Sequence, residues 1–111
     1  MMTEEAIALQ KRIRAGIQPW KSDIIEKRMF GGTTFLYKGK MTIGEIKGKL
    51  MVRVVPSKME KVLSNPNVRI MDFTGKTMKE FIYVLPEGYS TEEKLQLWVE
   101  LGIEHAISKL N

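Results

Sequence analysis

Between Lys27 and Val54 the chain alternates apolar and polar residues and breaks the alternation twice with a Lys-Gly pair, Lys38-Gly39 and Lys47-Gly48. Glycine reaches positive φ at no steric cost, so such pairs close tight hairpins. The segment therefore reads as a three-stranded antiparallel meander. Phe35 and Tyr37, Met41 and Ile43, and Leu50, Val52 and Val54 supply one apolar face, with Lys49, Met51 and Arg53 on the other, wetter one. A one-residue slip would exchange the two sets, so this pattern specifies register strongly.

At 111 residues the chain is long enough for one core and too short for a second, which makes residues 1–111 a single domain. No apolar run approaches the roughly eighteen residues a membrane span needs, and the opening Met-Met-Thr-Glu-Glu is acidic where a leader would be basic and apolar. A cytoplasmic location without membrane contact is expected. The absence of cysteine removes disulfides, thiolate catalysis and thiolate zinc sites, and the single His105 cannot build a multi-histidine metal centre. No cofactor, metal or catalytic residue is expected.

Charge is uneven. From Lys11 to Lys61 there are thirteen Lys or Arg against Asp23, Glu26, Glu45 and Glu60, a net of +9, whereas the whole chain carries +5. A basic segment of this kind can hold nucleic acid through counterion release, or it can be a solvated surface that discourages edge-to-edge aggregation.

Flanking segments read as helices and a second hairpin. Thr3 caps a helix with Glu4 and Glu5 in its first turn and Lys11, Arg12 and Arg14 toward its end, stopped by Gly16 and Pro19. Trp20–Lys27 reads as a short turn or loop with Ile24 and Ile25 packing inward. Ser57 with Glu60 suggests a capping box opening a short helix that buries Met59, Val62 and Leu63, and Ser90 to Glu93 suggests another ahead of a long helix. That last helix has a broad apolar face through Leu95, Trp98, Val99, Gly102, Ile103, Ala106, Ile107 and Leu110. Val68–Phe73 and Glu80–Leu85 flank Thr74-Gly75-Lys76 as a second hairpin. The order α-β-β-β-α-β-β-α is that of a two-layer α+β domain, an antiparallel sheet with helices on one face.

The run Arg28-Met29-Phe30-Gly31-Gly32 resembles the opening of the TfoX/Sxy N-terminal domain family. So do the strand through Phe35 and Tyr37, the Lys38-Gly39-Lys40-Met41 turn, Leu50-Met51-Val52, Phe81 to Pro86, and Leu97-Trp98-Val99. The resemblance covers nearly the whole chain and implies the two-layer architecture also found in secretion chaperones. It further implies a bacterial regulatory or protein-interaction module with no catalytic residues. Full-length competence regulators of that family carry a second, helical domain, which these 111 residues do not include. The partner implied is a transcription-associated protein. Nucleic acid bound by the basic meander is the alternative, and a homodimer through an exposed strand edge or helix stands beside a monomer.

Arg28, Lys38, Lys40, Lys49 and Arg53 cluster on or beside the meander as candidates to contact an acidic partner, and Met51 with Leu36 suggests an exposed apolar patch. Phe35 and Tyr37 point to the core and give no stacking platform. Met29, Phe30, Gly31 and Gly32 read as a structural motif, with the glycine pair serving a bulge or tight packing; the pair leads into a strand and is not a phosphate loop. Ser57, Ser90 and Thr91 read as caps, His105 as a surface or helix-end residue, and most of the eight methionines as core.

Overall fold

The computed structural model describes residues 3–29, 31–73 and 76–110, with the side chains of 73–78 outside the description. Its elements are α1 (Glu4–Gly16), β1 (Ile24–Met29), β2 (Gly32–Tyr37), β3 (Lys40–Ile46), β4 (Lys49–Arg53), α2 (Pro56–Leu63), β5 (Val68–Phe73), β6 (Lys76–Val84) and α3 (Glu92–Ser108). Short 3-10 segments, Gln18–Asp23 and Pro86–Tyr89, lead into β1 and α3. The strands form one antiparallel sheet in the order β1-β2-β3-β4-β6-β5. The architecture is the expected α+β one, with helices over an antiparallel sheet.

Both Lys-Gly turns take the two-residue form. Lys38 and Gly39 have φ of 48° and 86°, Lys47 and Gly48 of 52° and 81°, the double positive φ that matches the twist of the flanking strands. Tyr37 then pairs with Lys40, and Ile46 with Lys49.

The meander has four strands, one more than the alternation indicated. Of the stretch Trp20–Lys27, read as a turn or loop, Ile24–Lys27 belongs instead to an edge strand, Ile24–Met29, paired with β2 from Ile24↔Tyr37 to Met29↔Gly32. As an edge it needs a partner on one side only, so Ile25 is 66 % exposed and does not pack inward. Arg14 of α1 secures it, donating from both Nε and a terminal nitrogen to the Glu26 carboxylate at 2.8 Å.

A bulge changes the parity of β3. Phe35 pairs with Ile43 but Leu36 with Met41, which leaves Thr42 as the extra residue, its hydroxyl donating to the Phe35 carbonyl at 2.8 Å. Ile43 stays in the main core while Met41 moves to the opposite face of the sheet.

That main core lies between sheet and helices. Leu9 and Ile13 of α1, Phe35, Ile43, Leu50, Val52, Ile82 and Val84 of the sheet, and Leu95, Trp98, Val99 and Ile103 of α3 pack into one buried cluster. Thr3 caps α1 by accepting from the Ala6 amide, and Thr91 caps α3 by accepting from the Lys94 amide. Ser57 does not cap α2: the helix begins one residue earlier, with Pro56 in its first turn and Val55 at the cap position. Met59 and Val62 are half-buried and Leu63 exposed, so α2 is a surface helix.

Candidate functional site: the open sheet face

The sheet face turned away from the helices carries an apolar centre of its own. Ile46, Met51, Met71 and Phe81 are buried together there, with Met41 and Tyr83 packed against them. Cross-strand register fixes this grouping, since Met51 lies opposite Tyr83, Arg53 opposite Phe81 and Lys49 opposite Ile46, and directly opposed residues share a face. Met51 is fully buried, which corrects the expectation of an exposed patch with Leu36: the aromatic side chains of the neighbouring strand cover it.

Two basic residues roof this centre. The Lys49 ammonium lies 5.0 Å from the Tyr83 ring centroid, and the Arg53 guanidinium 5.0 Å from that of Phe81, both within cation–π range. Arg69 shares the face, being opposite Tyr83 on the other side, and so does Lys27, through the chain of pairs Lys27↔Thr34, Thr34↔Gly44 and Gly44↔Met51. Burial, with a smaller contribution from Asp72, raises the Tyr83 hydroxyl above its ordinary value and keeps it a neutral donor. Among the described residues the face therefore brings aromatic edges and the Tyr83 hydroxyl together with Lys27, Lys49, Arg53 and Arg69.

The six residues expected to contact a partner do not form one patch. Lys49, Met51 and Arg53 come together, with Met51 as floor and the two cations as surface. Lys38 sits in the β2–β3 turn with its ammonium 5.5 Å from the Tyr37 ring, and Lys40 pairs with Tyr37 at the same end of the sheet. Arg28 shares the helix-side face of β1 with Glu26. Phe81, Tyr83, Arg69 and Lys27 complete the site and were not singled out by sequence. The signal present was the aromatic pair Phe81 and Tyr83, but Ile82 and Val84 on the other parity are equally apolar.

The glycine motif is structural in its described part. Gly31 has φ of 78° in the β1–β2 turn, and a Cβ on Gly32 would lie 1.9 Å from the Glu45 carbonyl oxygen, so β2 and β3 close only around glycine there. Met29 ends β1, and Phe30 lies outside the described residues.

His105 overturns its expected place. It is fully buried on α3, and its Nε2 hydrogen-bonds the Glu80 carboxylate. Nδ1 is buried with no hydrogen-bond partner among the described residues, so a second ring proton would have nothing to donate to. Burial holds the ring below the ordinary histidine value, and the hydrogen bond from His105 holds the Glu80 carboxyl below the ordinary carboxylate range. Both directions favour a neutral imidazole donating to a carboxylate, with the ring shut away from solvent and a quarter of the Glu80 side chain exposed. Among the described residues no group of three His, Cys, Asp or Glu side chains could hold a metal, and no helix is long and apolar enough to cross a membrane.

Residues 16–106 match the family model described as the TfoX N-terminal domain. No curated protein matches the chain.

Proposed function

We propose, from the premise that the chain belongs to the TfoX N-terminal domain family, that it is a non-enzymatic regulatory module of the cytoplasm that binds a protein partner through its open sheet face. The observation carrying this reading is the stacking of Lys49 on Tyr83 and Arg53 on Phe81. A partner carboxylate can engage the outward donors of those cations while its apolar neighbours rest on the aromatic edges, an arrangement suited to an acidic segment of a transcription-associated protein.

Affinity capture with the wild type and with a Lys27→Glu, Lys49→Glu, Arg69→Glu variant tests the reading. Partners lost from this variant but kept by Lys38→Glu, a change in the β2–β3 turn, support it. An unchanged partner set in both would sink it.

A second reading is favoured by the same basic and aromatic pairs. Single-stranded nucleic acid could lay its phosphates on Lys27, Lys49 and Arg69 and stack a base on Tyr83. Anisotropy titrations of single- and double-stranded DNA and RNA should then show affinity falling steeply with salt and weakened by Tyr83→Ala. Absent or salt-insensitive binding removes it.

A further inference from the structure

On the helix side of the molecule, a groove of about 870 Å³ runs between α2 and α3, with Val62, Trp98 and Leu101 in its lining. Leu97, 64 % exposed, stands on its α3 lip. Lys58, near the start of α2, bonds Glu104, near the end of α3, at 2.9 Å, so the two helices run antiparallel along the groove. One turn inward from that bridge, Lys61 on α2 and Glu100 on α3 are both exposed, and neither has an ion-pair partner among the described residues.

We propose that this groove is the contact surface of a homodimer in which two copies meet face to face about a two-fold axis parallel to α3. The charges choose the axis. With it along the groove, the lysine-bearing α2 of each copy lies over the glutamate-bearing α3 of the other, and Lys61 meets Glu100 of the partner copy twice. With the axis across the groove, α2 would lie on α2 and lysine would face lysine. In the first arrangement Leu97 of each copy enters the apolar lining of the facing groove.

The size of the surface sets the strength. α3 has 17 residues and spans about 25 Å. With α2 only 8 residues and about 12 Å long, and each helix about 10 Å across, the pair covers roughly 370 Å² per copy, against about 800 Å² for a standard interface. The dimer is therefore weak and reversible, with Kd of micromolar order or weaker. It uses the side of the sheet opposite the face proposed for partner binding and stands independently of that reading.

Sedimentation velocity on the full chain at low salt, from about 1 μM to about 1 mM, reads the equilibrium directly. A concentration-dependent monomer–dimer exchange is expected, lost in Leu97→Glu and kept in Lys49→Glu. Lys61→Glu and Glu100→Lys should each weaken it by about tenfold, and the two together should restore it to within about threefold of wild type. All three positions are exposed, and far-ultraviolet circular dichroism confirms that the variants stay folded. A monomer at every concentration overturns the proposal. So does a dimer indifferent to Leu97→Glu, a double variant no tighter than the singles, or a groove that takes only a different protein while the chain stays monomeric.

Discussion

The fully buried imidazole of His105 on α3 is hydrogen-bonded through Nε2 to Glu80, a residue held at φ of 69° in β6. The two come together because β6 leaves register there. Ile70 pairs with Ile82 but Asp72 with Thr77, so β6 carries the extra residues, and the Glu80 carbonyl turns to accept from the Val54 amide at 2.8 Å. A left-handed backbone costs a non-glycine residue about 1 kcal/mol. The contact with His105 compensates by fastening α3 to the sheet.

Stability should fall as pH drops below about 6.5, the ordinary histidine value. The folded ring resists protonation more than the unfolded one, so the unfolded state binds more protons and gains on the folded state with acidification. The loss grows until pH reaches the folded pKa, and Glu80, whose carboxyl is also lowered, adds a second loss below its ordinary value. A tenfold difference in proton affinity between the folded and unfolded chains is worth about 1.4 kcal/mol. Thermal melts between pH 8 and 5 should show this slope, and His105→Gln, which keeps a donor for Glu80 without a titrating ring, should flatten it. An unchanged slope in that variant would assign the pH dependence elsewhere.

Glu45 is a buried carboxylate held by two donors, the Gln10 amide nitrogen and the Gly48 backbone N–H, each at 2.7 Å. It ties α1 to the β3–β4 turn. Glu45→Ala removes an acceptor from both and should cost about 2–4 kcal/mol in chemical denaturation. A loss under about 0.5 kcal/mol, the level of a surface change, would show that water replaces the carboxylate.

How much of this was legible depended on whether a local signal had one meaning. The Lys-Gly turns did, because two-residue hairpins demand positive φ, and both came out as expected. The Thr3 cap was equally readable, whereas the box from Ser90 to Glu93 lies one residue off, α3 being capped by Thr91, which accepts from the Lys94 amide. The Ser57 box was not readable either, since Pro56 suits the first helical turn and starts α2 ahead of it. The strand Ile24–Met29 has little alternation because an edge needs little, and its order comes from Tyr37 and Arg14, remote from its own residues. In β6, Phe81 and Tyr83 compete with Ile82 and Val84 for the core, so parity alone could not name the face. The bulge at Thr42 and the Glu80 excursion leave no composition signature, which is why Met41 and His105 were misplaced.

Met51 separates a second core from a solvent patch. If the open face is packed as described, Met51→Ala should cost about 2–4 kcal/mol, the range for emptying a buried site of that size. It should also loosen Tyr83 and Phe81, visible as lowered protection of β4 and β6 amides in hydrogen exchange. A change under about 0.5 kcal/mol would mean that the methionine is solvated and the face open to its floor.

Gly102 lies where α3 crosses β3, and a Cβ there would sit 2.5 Å from the Thr42 carbonyl oxygen. Helix propensity alone favours alanine over glycine by about 1 kcal/mol, so an isolated α3 would be strengthened by the change. In the folded chain the backbone of the bulge cannot give way as a flexible side chain would, and α3 must lift from the sheet, opening Ile103 and Val99 to water. The net effect of Gly102→Ala should therefore be a loss of about 2 kcal/mol or more. Denaturant unfolding gives the sign directly. A stabilised variant would mean that helix and sheet are farther apart at this crossing, and with them the whole layer that holds His105 over Glu80.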